Sequence, residues 1–443
     1  MFRDPAGEPV LAVEPFPTVV GADPSPCADA PPPEAAAAPA APTDGFEPLG
    51  LPIGLRHTLL KLGHATPTPV QAAAIPVLRD ALGVSLVEAG FLLSMVQLAG
   101  MGLGVLAGLG ADGFGLRRSM MTGLWLLFVA SLAGGWARDI GALLVLRALE
   151  GVGFLMATVP APSLVRRSVA PAKLTRMLGF WGAFMPFGTA MALLVGPAVI
   201  GGAGWPGWWW LIALLTAAMA LWVRARVPAD APRARPLPAV GDWRRRLTQT
   251  LGSGGPWLGA LTFGVYSAQW LAVIGFLPTL YAESGWDGAL IAVLTALVAA
   301  ANIIGNVAAG RLLSRGVAPQ RLLWLGFGTM ALGTALGFGS LTEHSPVLRY
   351  LGVIAFSAVG GLIPGSLFGL APRLAPSEHT VATTVGWFMQ WSAVGQMSGP
   401  PLVAWVASRS GGWQWTWVVL GACSLMGALL AWRVGRRLAA NRV

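Results

Sequence analysis

Two charged side chains stand inside an otherwise apolar run, "RALEGVGF" at residues 147–154: Arg147 and Glu150. Three residues apart, they share one face of a helix and can pair. A carboxylate placed there can take up and release a proton, while the guanidinium holds either that carboxylate or an anionic solute. An ionisable group within a membrane costs several kcal/mol unless paired, so it marks either a pathway or a buried structural pair. A second constellation, "GLGADGFGLRR" from Gly108, sets Asp112 and Gly115 ahead of Arg117 and Arg118. An acid at a helix end can act on nearby arginines and on helix dipoles. A third group is polar and uncharged: Tyr266, Gln269 and Trp270, then Asn302 and Asn306 four residues apart, then Gln390 between Trp387 and Trp391. Such residues either bond between packed spans, at roughly 0.6–2 kcal/mol each, or line a cavity.

The chemistry that is missing also narrows the reading. Glycine-rich faces such as "GMGLGVLAGLG" from Gly100 are followed by no Lys-Ser/Thr, so they read as close helix contacts rather than phosphate loops. The two cysteines, Cys27 and Cys423, fall in a polar tail and an apolar span, which implies no disulfide framework and no paired metal site. The expectation is a protein without enzymatic chemistry, cofactor or metal.

The elements that carry these residues follow from composition. Of 443 residues, 55% are hydrophobic and only 11% charged, which places the chain among polytopic membrane proteins. Stretches near the 20 or so residues a bilayer crossing needs occur at 87–110, 119–136, 140–163, 177–200, 207–223, 256–282, 288–309, 322–342, 351–372, 381–407 and 413–432. The loops between them alternate in charge. One set holds 21 basic residues, from Arg117 through Arg442, and the other holds Arg138, Arg349 and Arg409. The positive-inside bias makes the first set cytoplasmic, with the C-terminus inside. The net charge of +10 is therefore spent on membrane orientation rather than on nucleic acid, although residues 1–71 alone carry −5.

Residues 224–255, rich in Pro, Arg and Gly, form the one long internal break and divide the spans five and six. Across it the chain repeats. "AGLGADGFGLRRSMM" from Ala107 aligns with "AGRLLSRGVAPQRLL" from Ala309, pairing Gly108 with Gly310 at an offset of 202. Gly179 and Gly188 pair with Gly386 and Gly395, and Trp208 and Trp210 with Trp415 and Trp417, at an offset of 207.

From about residue 76 onward the chain resembles the major facilitator superfamily, secondary transporters built from two six-helix halves. Gly108, Asp112, Gly115, Arg117 and Arg118 match that family's loop between its second and third helices. Two positions depart from it: Gly113 stands where a basic residue is usual, and Leu116 displaces the arginine pair by one. The resemblance implies that Asp112 helps to lock the inward gate. "RALEGVGF" resembles the fourth-helix pattern of Arg, Gln or Glu, then Gly. "GTAMALLVGPAVIGG" from Gly188 matches the fifth-helix pattern of drug/proton antiporters only in part, since Ala192 replaces a glycine. "FWGAFMPFGTA" with "RALEGVGFL" is similar, more loosely, to the cyanate and nitroimidazole permease branch.

Upstream, "GFEPLGLPIGLRHTLLKLGHATPTPVQAAAIP" from Gly45 resembles the Q motif of DEAD-box RNA helicases through Phe46, Pro67 to Pro69 and Gln71, with His64 in place of an aromatic. No phosphate loop or Asp-Glu-Ala-Asp site follows, so nothing could hold ATP and magnesium. The span that begins near Pro256 should have its counterpart near Gly54, where Arg56 and Lys61 stand instead, each costing about 2.5–3.5 kcal/mol at a bilayer centre.

The expected architecture is an all-α membrane protein, a two-half bundle of about eleven transmembrane helices lacking the first. It divides into a low-complexity tail at 1–45 without the features of a signal peptide, a helicase-like fragment at 46–75, a first half at 76–223, a linker at 224–255 and a second half at 256–443. The expected function is alternating-access transport of a small solute, proton-coupled and directed to a small organic or inorganic anion, by a monomer in the plasma membrane. The alternatives are a transport-inactive remnant and a membrane sensor. Epitope tags within 224–255 and after Val443 are expected to report cytoplasm in a protease-protection assay. Protection of either tag on the cytoplasmic face would reverse the orientation.

Overall fold

Inside a bilayer the backbone has no water to bond, so a crossing chain must satisfy its own donors and acceptors, and a helix does so locally. The computed structural model describes residues 86–230, 241–283, 285–410 and 412–440, and every regular element among them is helical. The tail, the helicase-like fragment and the start of the first half lie outside the described residues.

In chain order the α-helices are α1 (Leu86–Phe114), α2 (Leu116–Gly134), α3 (Ile140–Thr158), α4 (Ala161–Ser168), α5 (Pro171–Trp181) and α6 (Phe184–Arg226). They continue with α7 (Gly241–Leu251), α8 (Gly254–Glu283), α9 (Gly288–Ser314), α10 (Pro319–Phe338), α11 (Pro346–Gly360), α12 (Leu362–Leu374), α13 (Val381–Ser410) and α14 (Thr416–Ala440). Asp139 and Asp287 cap α3 and α9, each side chain accepting from a first-turn backbone N–H at 2.8–2.9 Å.

Eight stretches among the described residues are long and apolar enough to cross a membrane. One of them, Pro171–Arg226, has 56 residues. At 1.5 Å per residue it would run to roughly 84 Å, far beyond a hydrocarbon core of about 30 Å. Gly204, at φ 70° and ψ 175°, breaks it into two crossings. With α2 and α13 added, each of the eleven apolar stretches in the sequence lies on helix.

Three boundaries differ from the sequence expectation. The stretch at 177–200 is split at Gly182–Ala183 into α5 and α6, and its α6 part runs on into 207–223 through a bend at Gly204, because Pro206 follows directly and no polar loop intervenes. The 140–163 stretch is split at Val159–Pro160 into α3 and α4, and 351–372 at Gly361 into α11 and α12; the two break points stand 202 residues apart, the offset of the repeat. The linker is not wholly irregular, since α6 runs to Arg226 and α7 is a basic amphipathic helix.

The halves meet through small residues. On α1, Gly100, Gly104 and Gly108 recur every fourth position and form one stripe against α13. A Cβ on Gly104 would stand 2.7 Å from the Gly386 carbonyl oxygen, and one on Gly108 2.5 Å from that of Ala382. The second crossing joins α5 to α9, where a Cβ on Gly179 would stand 2.6 Å from the Gly310 Cα. Sequence alignment pairs Gly108 with Gly310 and Gly179 with Gly386, so the repeat's glycines mark two equivalent crossings, as small residues do where membrane helices approach closely.

Gly102 faces away, with nothing within 4 Å of a Cβ built there. Gly108→Leu is therefore expected to lower stability in detergent by about 1–3 kcal/mol through overpacking, whereas Gly102→Ala is neutral or slightly stabilising. Equal melting temperatures for the two variants would show that α1 does not pack on α13 by this stripe.

Candidate functional site

Between the halves lies a cavity of about 240 Å³, bounded by α1, α3 and α6 on one side and α8, α9, α12 and α13 on the other. Its walls are aromatic. Trp181 meets Phe368 edge-on at 4.7 Å, Phe263 meets the same ring at 5.3 Å, and Phe154 lies against Phe184 at 6.2 Å.

Its polar groups form a connected set. Tyr266 Oη and Asn302 exchange hydrogen bonds, with Asn302 Nδ2 donating at 2.9 Å and also reaching the Ser357 carbonyl at 2.8 Å. Asn306 Nδ2 donates to Asn302 Oδ1 at 2.9 Å, as its position one turn along α9 allows. Trp270 Nε1 donates to Ser357 Oγ at 3.2 Å. Ser267 of α8 and Ser392 of α13 share a 2.7 Å bond, Gln396 donates to Ser392, and on the facing side Gln97 Oε1 is buried without a partner among the described residues. No Lys, Arg, His, Asp or Glu lines this cavity among the described residues.

The structure thus brings Tyr266, Trp270 and Asn302 into one wall with Asn306 behind them, and sends the other amides elsewhere. Gln269 is fully buried against α14, where its Oε1 accepts from Ser424 Oγ at 2.7 Å. Gln390 Oε1 accepts from the Val105 backbone N–H at 3.0 Å and so ties α13 to α1. Arg147 and Glu150 do pair, but outside the cavity lining. Glu150, 5% exposed, also accepts from Ser131 Oγ at 2.7 Å, and Arg147 lies over the Trp209 ring. Sequence reading missed Gln97, Ser267, Ser392 and Gln396. Their signal is the same lone polar residue in an apolar span, and on α13 the four-residue spacing of Ser392 and Gln396 marks one face.

At the end of the bundle where the basic loops gather, the two halves are bonded to each other. Asp112, one turn beyond Gly108 on the glycine stripe, reaches across to α13. Its Oδ2 accepts from Thr383 N at 2.8 Å and Thr383 Oγ1 at 2.7 Å. This places a negative charge on the first turn of a helix of the opposite half, where the exposed N–H groups and the dipole favour it. Arg166 and Glu378 add a second, solvent-exposed bridge between the halves.

Arg117 and Arg118 act partly through their backbones. Both first-turn amides of α2 donate to Asp230, at 3.3 and 3.0 Å, and Arg167 pairs with the same carboxylate at 3.1 Å. Gly115, at φ 123°, supplies no cap of its own and leaves the room, since a Cβ there would stand 2.6 Å from Asp230 Oδ2.

A family model described as Major Facilitator Superfamily matches residues 65–396. The chain belongs to the major facilitator superfamily. Among curated relatives of this superfamily member, the 2-nitroimidazole transporter of Escherichia coli K12 is 26% identical over 377 residues, covering 82% of this chain and 90% of the relative. The puromycin resistance protein pur8 of Streptomyces alboniger is 29% identical over 331 residues, covering 71% of this chain and 60% of its own length. Among solved structures, the superfamily transporter FucP in its outward conformation superposes with a TM-score of 0.65 at 15% identity, over 85% of this chain and 96% of FucP, a likeness of fold. The chain is a multi-pass membrane protein. The family match begins at residue 65, inside the helicase-like stretch at 46–75, which lies outside the described residues.

Each hydrogen bond that Asp112 accepts from α13 has a charged acceptor and is worth roughly 1.5–3 kcal/mol. In a chain with its cysteines replaced and Ser392→Cys as the reporter, Asp112→Ala is expected to raise labelling from the basic end at least about tenfold, the effect of 1.4 kcal/mol. Asp112→Asn, still an acceptor, should change it less. An unaltered rate in the alanine variant would remove the latch role.

Proposed function

We propose that this superfamily member is a secondary active transporter that carries a small, planar, uncharged solute by alternating access, and that its basic end is cytoplasmic. The observation that carries the reading is the cavity itself: aromatic rings, hydroxyls and amides, with no charged side chain among the described residues that line it. Burying an anion against such a wall would leave its charge uncompensated, whereas a neutral ring with one or two polar atoms stacks on the aromatics and bonds to Tyr266, Asn302 or Gln97. An uncharged solute thus fits better than the small anion expected from sequence. The names of two relatives, the 2-nitroimidazole transporter and a putative niacin/nicotinamide transporter of Bacillus subtilis, agree with a small heteroaromatic solute.

Proton coupling is assigned on this reading to Glu150. Its carboxylate is buried, its partners Arg147 and Ser131 hold it without filling the cavity, and α3 carries it one turn before Phe154 and Leu155 of the cavity wall. Protonation would release Arg147 and shift α3 against α2.

Uptake of 2-nitroimidazole and nicotinamide into proteoliposomes tests both parts. Asn302→Leu is expected to cut uptake of a transported solute about tenfold, and Tyr266→Phe severalfold, through the loss of a buried hydrogen-bond partner. Glu150→Gln is expected to abolish accumulation driven by a pH gradient while leaving solute exchange intact. Full pH-driven uptake in Glu150→Gln would reduce the pair to a structural role. Uptake insensitive to Asn302→Leu would move the solute site elsewhere.

A further inference from the structure

A second cavity, of about 630 Å³, opens at the end of the C-terminal half opposite the basic loops, within the roughly 300–1,000 Å³ of small-molecule sites. It lies where α8, α10 and α11 end or begin, together with the turns before α9 and α14, and it shares no lining residue with the central cavity.

Its chemistry differs from that of the central site. Tyr281 is 8% exposed, and its buried hydroxyl has no hydrogen-bond partner among the described residues. Arg349 also lines the cavity. Its Nη2 donates to the Gly339 carbonyl at 3.3 Å, and among the described residues its buried Nε has no partner and no carboxylate pairs with it. Two buried donors, one of them cationic, thus border one cavity without an acceptor, an arrangement that costs free energy until an acceptor arrives. Part of the wall is flat and aromatic: the Tyr281 and Trp286 rings stack at 4.8 Å and 10°, and Phe338 and Trp413 also line the cavity.

We propose that this outer cavity binds planar aromatic monocarboxylates. The carboxylate accepts from the Arg349 guanidinium, whose planar fork suits it, and from the Tyr281 hydroxyl, while the ring lies on the aromatic wall. Glu343, exposed at the rim, disfavours a second negative charge and so selects against diacids. The site stands apart from the uncharged cavity and does not rest on the transport reading.

Radiolabelled benzoate binding to the purified full-length protein in detergent, read by scintillation proximity, tests the assignment. Saturable binding is expected, with benzamide and terephthalate competing at least about tenfold less well than unlabelled benzoate. Arg349→Met should weaken binding at least about tenfold, Arg349→Lys less, and Tyr281→Phe severalfold, all at an unchanged melting temperature. If Arg349→Met fails to fold, Tyr281→Phe, which removes only the hydroxyl, carries the test. Asn302→Leu should leave benzoate binding unaltered even where it abolishes uptake. Absence of saturable binding, equal competition by benzamide, native affinity in Tyr281→Phe, or loss of binding in Asn302→Leu would each overturn the proposal.

Discussion

The carboxylate of Asp112 rests on the first turn of α13, and it is the charged contact that joins α1 to α13 across the halves. A bilayer supplies no hydrophobic drive between helices, so the halves are joined by close backbone contact and by a few polar bonds. The glycine stripe at positions 100, 104 and 108 provides the first and directs Asp112, the next position on the same face, to the second. Small residues make a surface over which two helices can slide or part without unlocking side chains. A charge-assisted cap then sets how costly the parting is, because both the carboxylate and the N-terminal amides of α13 would need water in its place. Alternating access needs such a joint, firm in one state and cheap to rehydrate at the membrane surface.

Hydropathy made the helical bodies legible because burial in lipid is a property of each stretch by itself. The repeat made the crossings legible as well, since Gly108, Gly179, Gly310 and Gly386 stand out where a Cβ is excluded. What the sequence left open was direction. Gln269 and Gln390 have the same residue type and setting as Gln97 and Gln396, yet the first pair bonds helix to helix and the second borders the cavity. The choice depends on a rotation of the helix that a sequence does not carry. Asp230 was equally hidden, because its role is defined by the Gly115 start of α2, more than a hundred residues away.

Keeping Arg147 and Glu150 off the cavity wall has an electrostatic consequence. A buried paired charge costs much to break, so the pair can fasten α3 to α2 through Ser131 without perturbing an uncharged solute one turn away. On the proposed reading, proton and solute then use separate routes joined by the rigid body of α3, and coupling is a movement of that helix rather than a direct contact between the two cargoes.

The two crossings are not equal, and the inequality follows from one position of the repeat. At the offset that pairs Gly108 with Gly310, Asp112 pairs with Ser314. Where Asp112 reaches the opposite half, the Ser314 hydroxyl turns back on its own helix and donates to the Arg311 carbonyl at 2.7 Å. The α1–α13 crossing therefore carries both the small-residue contact and a cap across the halves, while the α5–α9 crossing keeps the contact alone, with Gly179 on Gly310 and Gly182 beside Asn306. A joint with one latched side and one unlatched side opens by turning about the unlatched one. On the proposed alternating-access reading, the uncharged pair of glycines is then the hinge, and the side that bears Asp112 is the one that parts.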